Sequence, residues 1–129
     1  MTPRTVDELL GEARRRLRRV EPRAASEAIA SGAVLVDIRS ESQRARDGVV
    51  PGSVFIARNE LEWRADPTSD WREPHVADPD RQVIVMCNEG YQSSLAAATL
   101  KELGLERATD LVGGFQAWRA AGLPIQPRE

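Results

Sequence analysis

The stretch 83–94, with the sequence VIVMCNEGYQSS, joins a short apolar run to a polar loop and then to the beginning of a second segment. Val83–Met86 is continuously apolar and rich in β-branched residues, which is typical of a strand buried on both faces of a sheet. Residues 94–103 carry apolar side chains at helical spacing and are followed by Gly104, a common helix stop. A buried strand that leads directly into a helix predicts an α/β fold with a parallel sheet.

Strand and helix patterns alternate on both sides of this stretch. Further strands are predicted at 33–38 (AVLVDI), 54–56 and 109–112, because each is short, largely apolar and close to a glycine turn. Helices are predicted at 5–19, 22–31, 40–47, 59–64 and 115–121. The alternation predicts a doubly wound parallel sheet of about five strands with helices on both faces.

The composition is that of one globular domain. The chain has 129 residues, of which 41% are hydrophobic and 29% charged, and its net charge is −2. These values exclude a disordered chain and leave room for a single core. No apolar run approaches the ~20 residues of a membrane span, and no leader with a cleavage site opens the sequence. We therefore expect a cytoplasmic protein with no membrane partner.

The first 23 residues are the basic part of the chain, with seven arginines against four acidic residues. Thr5 and Glu8 form a capping pair at the start of the predicted helix. The arginine-rich run 14–19 invites a nucleic-acid interpretation, but no aromatic side chain for base stacking lies in this segment. We expect no nucleic-acid partner and interpret the run as the solvated face of an N-terminal basic helical extension over 1–21, with docking of a partner as the alternative.

Cys87 is the only cysteine, so the chain can form neither an internal disulfide nor a cysteine-rich zinc site. It directly follows the predicted strand Val83–Met86, and parallel sheets bind ligands at the carboxyl ends of their strands. A short loop from strand to helix can turn several backbone N–H groups toward one point, and Gly90 permits the backbone geometry that this needs. The positive electrostatic field of these N–H groups and of the helix N-terminus favours a reactive thiolate. The alternative is an inert cysteine packed under the sheet.

Four segments together resemble a single rhodanese domain over residues 33–125. They are VDIR at 36–39, GVVPGS at 48–53, the loop CNEGYQS at 87–93, and LVGGFQAW at 111–118 followed by GLP at 122–124. Val49 departs from the family, which usually has a histidine at this place. The resemblance implies that residues 22–129 form a rhodanese-like domain.

The resemblance further implies a sulfurtransferase that carries a sulfane sulfur as a persulfide on Cys87, its catalytic residue. The sulfur would come from thiosulfate or another donor and pass to a thiol or cyanide acceptor, with a sulfur-relay protein as a further candidate partner. The loop residues that would cradle the persulfide are Asn88, Glu89, Gly90, Tyr91, Gln92 and Ser93. No metal and no organic cofactor is expected, because the chemistry needs only the thiolate. The alternative is a non-catalytic rhodanese module for protein interaction or regulation.

Two loop residues depart from the family pattern. Gln92 occupies a place where many family loops carry a basic residue, and Glu89 gives the loop a negative charge. At ~6 Å and an effective dielectric of ~20, the repulsion between this charge and each negative charge of a donor is roughly 3 kcal/mol before screening. We therefore expect weak binding of thiosulfate, a dianion, and preference for a less anionic or protein-bound donor.

Compensating positive charge could come from three candidate substrate-binding arginines, each of which follows a predicted strand or lies near one in the chain. Arg39 ends the first strand, where the alternative is a structural ion pair with Asp37 near the site. Arg44 and Arg58 could reach the same rim, with a solvated surface arginine as the alternative for each.

Two other activities are not expected from the sequence. Phosphatases related to the rhodanese family carry an arginine at the sixth position after the cysteine, which grips phosphate. That position is Ser93 in this chain. His75, the only histidine, lies in an acidic loop with no apparent third partner, so a cysteine–histidine protease pair is not expected either.

Overall fold

The computed structural model describes residues 2–129. Its helices are α1 (Val6–Arg15), α2 (Pro22–Ala30), α3 (Glu41–Asp47), α4 (Leu61–Ala65), α5 (Gln92–Glu102) and α6 (Gly114–Ala120), and its strands are β1 (Val34–Asp37), β2 (Val54–Phe55), β3 (Val83–Met86) and β4 (Ala108–Asp110). A 3-10 turn at Arg58–Glu60 precedes α4. Within residues 2–129, no helix combines the length and the apolar character needed to cross a lipid bilayer.

The strands pair in parallel in the order β2-β1-β3-β4. At the centre of the sheet, Val34 of β1 lies opposite Val83 of β3, and Asp37 lies opposite Met86. The predicted parallel sheet with helices on both faces is confirmed, and residues 2–129 contribute four strands to it. The apolar run that predicted β3 has the same bounds in the structure.

Alternate side chains of β3 enter two separate cores. Val83 and Val85 pack with residues of α4 and α5 on one face of the sheet. Ile84 and Met86 pack with residues of α2 and α6 on the other. All four are fully buried, and complete burial of such a side chain stabilises a fold by about 1.5–3 kcal/mol. The strand that precedes Cys87 is therefore packed on both of its faces.

The carboxyl ends of the strands meet at one edge of the sheet. Asp37, Met86 and Asp110 are the last residues of three neighbouring strands. Cys87 follows the middle one. The topology therefore brings the loop that begins at Cys87 between the segments that follow β1 and β4, which is where ligands bind in parallel sheets.

The N-terminal helix is shorter than its apolar spacing predicts. The spacing favours a helix to residue 19, whereas α1 ends at Arg15. Beyond it the chain runs beside β4, where the N–H of Val20 donates to Asp110 O at 3.1 Å and the N–H of Val112 donates to Val20 O at 2.9 Å. This pairing satisfies backbone groups at the edge of the sheet, and the tertiary contact overrides the local helical preference.

Candidate active site

Cys87 lies at the carboxyl end of β3, and only 9% of the residue is exposed. Two backbone N–H groups donate to its sulfur, that of Gly90 at 3.1 Å and that of Ser93 at 3.4 Å. Ser93 lies in the first turn of α5, so the positive end of the helix dipole adds to the field at Sγ. Donors of this kind stabilise a negatively charged sulfur.

The cysteine loop, defined as residues 87–93, reverses at Gly90. The φ of Gly90 is +88°, a conformation that L side chains rarely adopt, and a Cβ there would lie 2.7 Å from the backbone nitrogen of Gly113. The turn therefore requires glycine for both its conformation and its close contact. Within residues 2–129, no protein acceptor takes the backbone N–H groups of Glu89, Tyr91 or Gln92. These donors remain available to a ligand in the cavity that their residues line.

Helix α6 supports the cysteine loop from the side. The N–H of Phe115 donates to Cys87 O at 2.9 Å, and the N–H of Gln116 donates to Asn88 O at 3.1 Å. The side-chain amide of Gln116 also donates to Asn88 Oδ1 at 3.0 Å. A Cβ on Gly114 would lie 2.5 Å from Cys87 O. The start of α6 and the first peptides of the loop thus touch backbone to backbone.

Asp110 ties the cysteine loop to β4. Its fully buried carboxylate accepts hydrogen bonds from the hydroxyls of Ser93 at 2.7 Å and Ser94 at 2.8 Å. Arg19 donates to both carboxylate oxygens, at 2.8 and 3.1 Å. No sequence expectation included Asp110. An acidic residue inside an otherwise apolar strand was the available signal, because a buried carboxylate needs partners.

Cys87 lines a cavity of about 620 Å³. The cavity wall includes the loop residues Asn88, Glu89, Tyr91 and Gln92, with Ile38, Phe55 and Ala57 among its apolar members. Glu89, Tyr91 and Gln92 are exposed, whereas Gly90 and Ser93 are buried beneath them. The structure therefore brings the predicted cradle residues together around the thiol. The volume lies in the range of pockets that hold drug-sized ligands, roughly 300–1,000 Å³.

Arg39 is held inside the fold. Its guanidinium, which is not exposed at all, donates to both carboxylate oxygens of Asp37, at 3.1 and 2.9 Å, and to Gly48 O at 2.8 Å. It also stacks on the ring of Phe115, with 3.8 Å between Cζ and the ring centroid. This is the structural ion pair that the sequence left open as the alternative to a substrate contact.

The other two candidate arginines are also paired with carboxylates. Arg44 lies 3.3 Å from Asp37, contacts Glu41 and stacks over the ring of Phe55 at 4.0 Å. Arg58 donates to both carboxylate oxygens of Glu62, at 2.9 and 3.0 Å. The two arginines in the described cavity wall, Arg39 and Arg58, therefore each have a carboxylate partner. The wall also contains Glu41, which contacts Arg44, and Glu89.

His75 lies in the exposed loop after α4. Its Nδ1 is 2.9 Å from Glu73 Oε1, and its backbone N–H donates to the same oxygen at 3.1 Å. These hydrogen bonds hold the pKa of Glu73 below its ordinary value. Within residues 2–129 the histidine contacts a carboxylate and not the thiol, so no cysteine–histidine pair is formed.

Known proteins match most of the chain in sequence. A family model described as a rhodanese-like domain matches residues 21–121. Thiosulfate sulfurtransferase GlpE of Actinobacillus pleuropneumoniae is 36% identical over 108 residues, which cover 83% of this chain and 91% of that protein. The protein of the same name from Haemophilus influenzae is 34% identical over 106 residues, which cover 82% and 91%.

Solved structures match the fold as well. A Rhodopseudomonas palustris protein of unknown function, described as a possible tyrosine phosphatase, has a TM-score of 0.88 at 35% identity and covers 98% of this chain and 97% of its own. A rhodanese-related protein from Thermoplasma volcanium has a TM-score of 0.65 at 26% identity, with 86% and 99% covered. The match to the first includes nearly the whole chain, whereas the family model begins at residue 21, after α1 and the arginine-rich run.

Proposed function

Since the chain belongs to the rhodanese-like domain family and is a rhodanese-type sulfurtransferase, we propose that Cys87 carries the transferred sulfur as a persulfide. The observation that carries this proposal is the pair of N–H groups, from Gly90 and Ser93, that donate to Cys87 Sγ. They stabilise a negative sulfur before the reaction. The backbone N–H groups of Glu89, Tyr91 and Gln92, which have no protein acceptor within residues 2–129, would donate hydrogen bonds to the terminal sulfur that the reaction adds.

In the first step, the Cys87 thiolate attacks the outer sulfur of the donor. With thiosulfate, a new S–S bond forms to Cys87, the S–S bond of thiosulfate breaks, and sulfite leaves with the bonding electron pair. The negative charge of the thiolate ends on the terminal sulfur of the persulfide. No proton or external electron is required, because the attacking and product sulfurs are both anionic.

In the second step, the acceptor attacks the terminal sulfur and Cys87 leaves as the thiolate. Cyanide becomes thiocyanate, and a thiolate becomes a persulfide of its own. Because the chain has a single cysteine, no internal thiol can discharge the persulfide as a disulfide, so the acceptor must come from outside. A cytoplasmic site of action meets this requirement, because the cytoplasm contains reduced thiols that can accept the sulfur.

The charges of the cavity favour a donor less anionic than thiosulfate. Arg39 and Arg58, its two lining arginines, are each paired with a carboxylate, and Glu41 is paired with Arg44, so Glu89 is the lining charge without an ion-pair partner within residues 2–129. The cavity of about 620 Å³ is also much larger than a small inorganic anion needs. We propose that an organic persulfide or a protein-bound donor is used in preference to thiosulfate, which binds weakly.

A phosphatase activity has less support in this chain, although one structural neighbour is described as a possible tyrosine phosphatase. Ser93 occupies the position of the phosphate-binding arginine, and its hydroxyl donates to Asp110. A phosphate dianion would therefore meet no bidentate guanidinium from this position. We expect no hydrolysis of para-nitrophenyl phosphate above that of the Cys87→Ser variant.

Intact-mass spectrometry tests the carrier role directly. After incubation with thiosulfate or mercaptopyruvate, the protein is expected to gain the mass of one sulfur atom, and cyanide is expected to remove it as thiocyanate. Cys87→Ala is the control and should gain nothing. If no donor loads the natural protein while its fold is intact, the chain is a non-catalytic rhodanese module.

A further inference from the structure

Two arginines of the N-terminal segment reach the back of the cysteine loop. Arg14, in α1, donates to Gly90 O at 2.8 Å and to the hydroxyl of Ser94 at 3.1 Å. Arg19, in the extended stretch after α1, donates to the same Gly90 O at 3.0 Å while it pairs with Asp110. One carbonyl group of the loop therefore accepts hydrogen bonds from two guanidinium groups that lie outside the residues matched by the family model.

These contacts change the interpretation of the arginine-rich run. The sequence favoured a solvated helix face, and Arg15, Arg16 and Arg18 are indeed exposed. Arg14 and Arg19 are half-buried against the loop instead. We propose that Arg14 and Arg19 are positioning residues for sulfur transfer, which fix the backbone of the cysteine loop, and that Arg14 also supplies the positive charge that the loop itself lacks. The proposal rests on the persulfide role of Cys87.

The peptide between Gly90 and Tyr91 shows how the two arginines position the loop. In a trans peptide the C=O and the following N–H point in opposite directions. Because two guanidinium groups hold Gly90 O on the side of α1, the N–H of Tyr91 in the same peptide points away from them. That N–H has no protein acceptor within residues 2–129, and Tyr91 lines the cavity that contains Cys87. Arg14 and Arg19 thus fix the direction of a donor that is available to the transferred sulfur.

Arg14 also changes the charge beside the cysteine loop. The cysteine loop contains no basic residue, and Glu89 gives it a negative charge. Arg19 is neutralised by Asp110. Arg14 has no carboxylate partner within residues 2–129. Besides its hydrogen bonds, its guanidinium lies over the Tyr91 ring, with 5.7 Å between Cζ and the ring centroid. Its positive charge is therefore uncompensated next to the loop. A cation from a separate helix takes over the electrostatic role that the loop sequence does not fill.

The Arg14→Gln variant tests the charge, because it leaves no carboxylate unpaired. The measurement is the rate of Cys87 alkylation by iodoacetate, an anion, divided by the rate with iodoacetamide, which is neutral. A single charge about one Debye length from the thiol changes the rate at which an anion reaches it by about two- to threefold, so we expect this ratio to fall by that factor. Arg15→Gln, which removes an exposed neighbouring charge of the same helix, is the matched control and should leave the ratio nearly unchanged.

The Arg19→Gln variant tests the positioning. Loss of its hydrogen bonds to Gly90 O and Asp110 is expected to lower kcat for sulfur transfer about tenfold with little change in KM. Misplaced N–H donors of the loop affect the transition state more than substrate binding. Arg18→Gln is the control. Arg19→Lys retains the charge but not the fork of donors, so it should restore the thermal stability and only part of kcat.

Several outcomes would overturn the inference. An alkylation ratio in Arg14→Gln that equals that of Arg15→Gln removes the electrostatic role. An Arg19→Gln protein that is folded by circular dichroism and transfers sulfur at the natural rate removes the positioning role. If Arg19→Gln does not fold, a fully active Arg19→Lys would have the same consequence. Failure of the natural protein to load sulfur would instead contradict the persulfide role, because the alkylation ratio is measured without any sulfur donor.

Discussion

Glu89 is the residue whose charge most directly opposes an anionic donor. It belongs to the cysteine loop, lines the cavity and is exposed to solvent. At ~6 Å in a medium of effective dielectric ~20 its repulsion would amount to roughly 3 kcal/mol for each donor charge, but exposure allows water and salt to screen most of this. We therefore expect Glu89 to tune the choice of donor without excluding thiosulfate.

The substitution Glu89→Gln is expected to raise kcat/KM for thiosulfate by about two- to fivefold, because it removes a screened repulsion from a dianion. The gain with mercaptopyruvate, which carries one charge, should be smaller, and both gains should shrink at high salt. Glu106→Gln, an exposed acidic residue before β4 and outside the described cavity wall, is the control. A low-micromolar KM of the natural protein for thiosulfate would contradict weak thiosulfate binding, and unchanged kinetics in Glu89→Gln would remove Glu89 as the cause.

Helix α6 illustrates how an element far along the chain controls the cysteine loop. Gly114 begins the helix with φ +61°, and a Cβ there would lie 2.5 Å from Cys87 O and 2.8 Å from Asn88 O. Gly122 follows the end of the same helix with φ +74° and has nothing within 4 Å of its Cβ position. The two glycines share a positive φ that L side chains rarely adopt, but only the first is in contact with the loop.

Gly114→Ala is expected to abolish most sulfur transfer, because the methyl group must displace the backbone that holds Cys87. Gly122→Ala is the matched control: it should cost about 1 kcal/mol of unfolding free energy, as expected for a positive φ alone, and leave transfer intact. Urea denaturation and the rate of persulfide formation, both at low temperature, measure the two effects. Equal transfer in the two variants would show that contact between α6 and the loop is not required.

The elements differ in how well local patterns predict them. β3 and its cysteine loop were predictable, because an apolar strand that ends in a polar, glycine-bearing loop is a local signal. The end of α1 was not, because pairing of Val20 with Leu111 depends on a strand about 90 residues away. The roles of Arg14, Arg19 and Asp110 were hidden for the same reason. Helical spacing indicates which side of a helix is apolar, but not which arginines of the other side meet a distant loop.

In the whole molecule, one end of the chain covers an edge of the sheet, and the other end pairs with the segment that precedes β2. On one edge, the extended stretch with Val20 lies beside β4. Near the other edge, Val49 and Gln126 exchange backbone hydrogen bonds of 2.8 and 2.9 Å shortly before β2. Covered edges protect a sheet from pairing with other chains. Of these two ends, within residues 2–129, the N-terminal one alone donates hydrogen bonds to the cysteine loop, through Arg14 and Arg19, so the two ends should differ in their importance for function.

Leu17 and Ile125 allow this difference to be measured, because each is a half-buried apolar residue that packs one chain end against one of the two cores. Leu17→Ala and Ile125→Ala should each lower the free energy of unfolding by about 1–2 kcal/mol, less than a fully buried site. Ile125→Ala should leave the rate of persulfide formation within about twofold of the natural rate. Leu17→Ala should slow persulfide formation more than Ile125→Ala does, because Arg19 lies two residues after Leu17 and donates hydrogen bonds to both Gly90 O and Asp110. Urea denaturation gives the stabilities, and intact-mass kinetics gives the loading rates at a temperature where both variants are folded. Equal loading rates would mean that the N-terminal segment, like the C-terminal one, contributes stability alone.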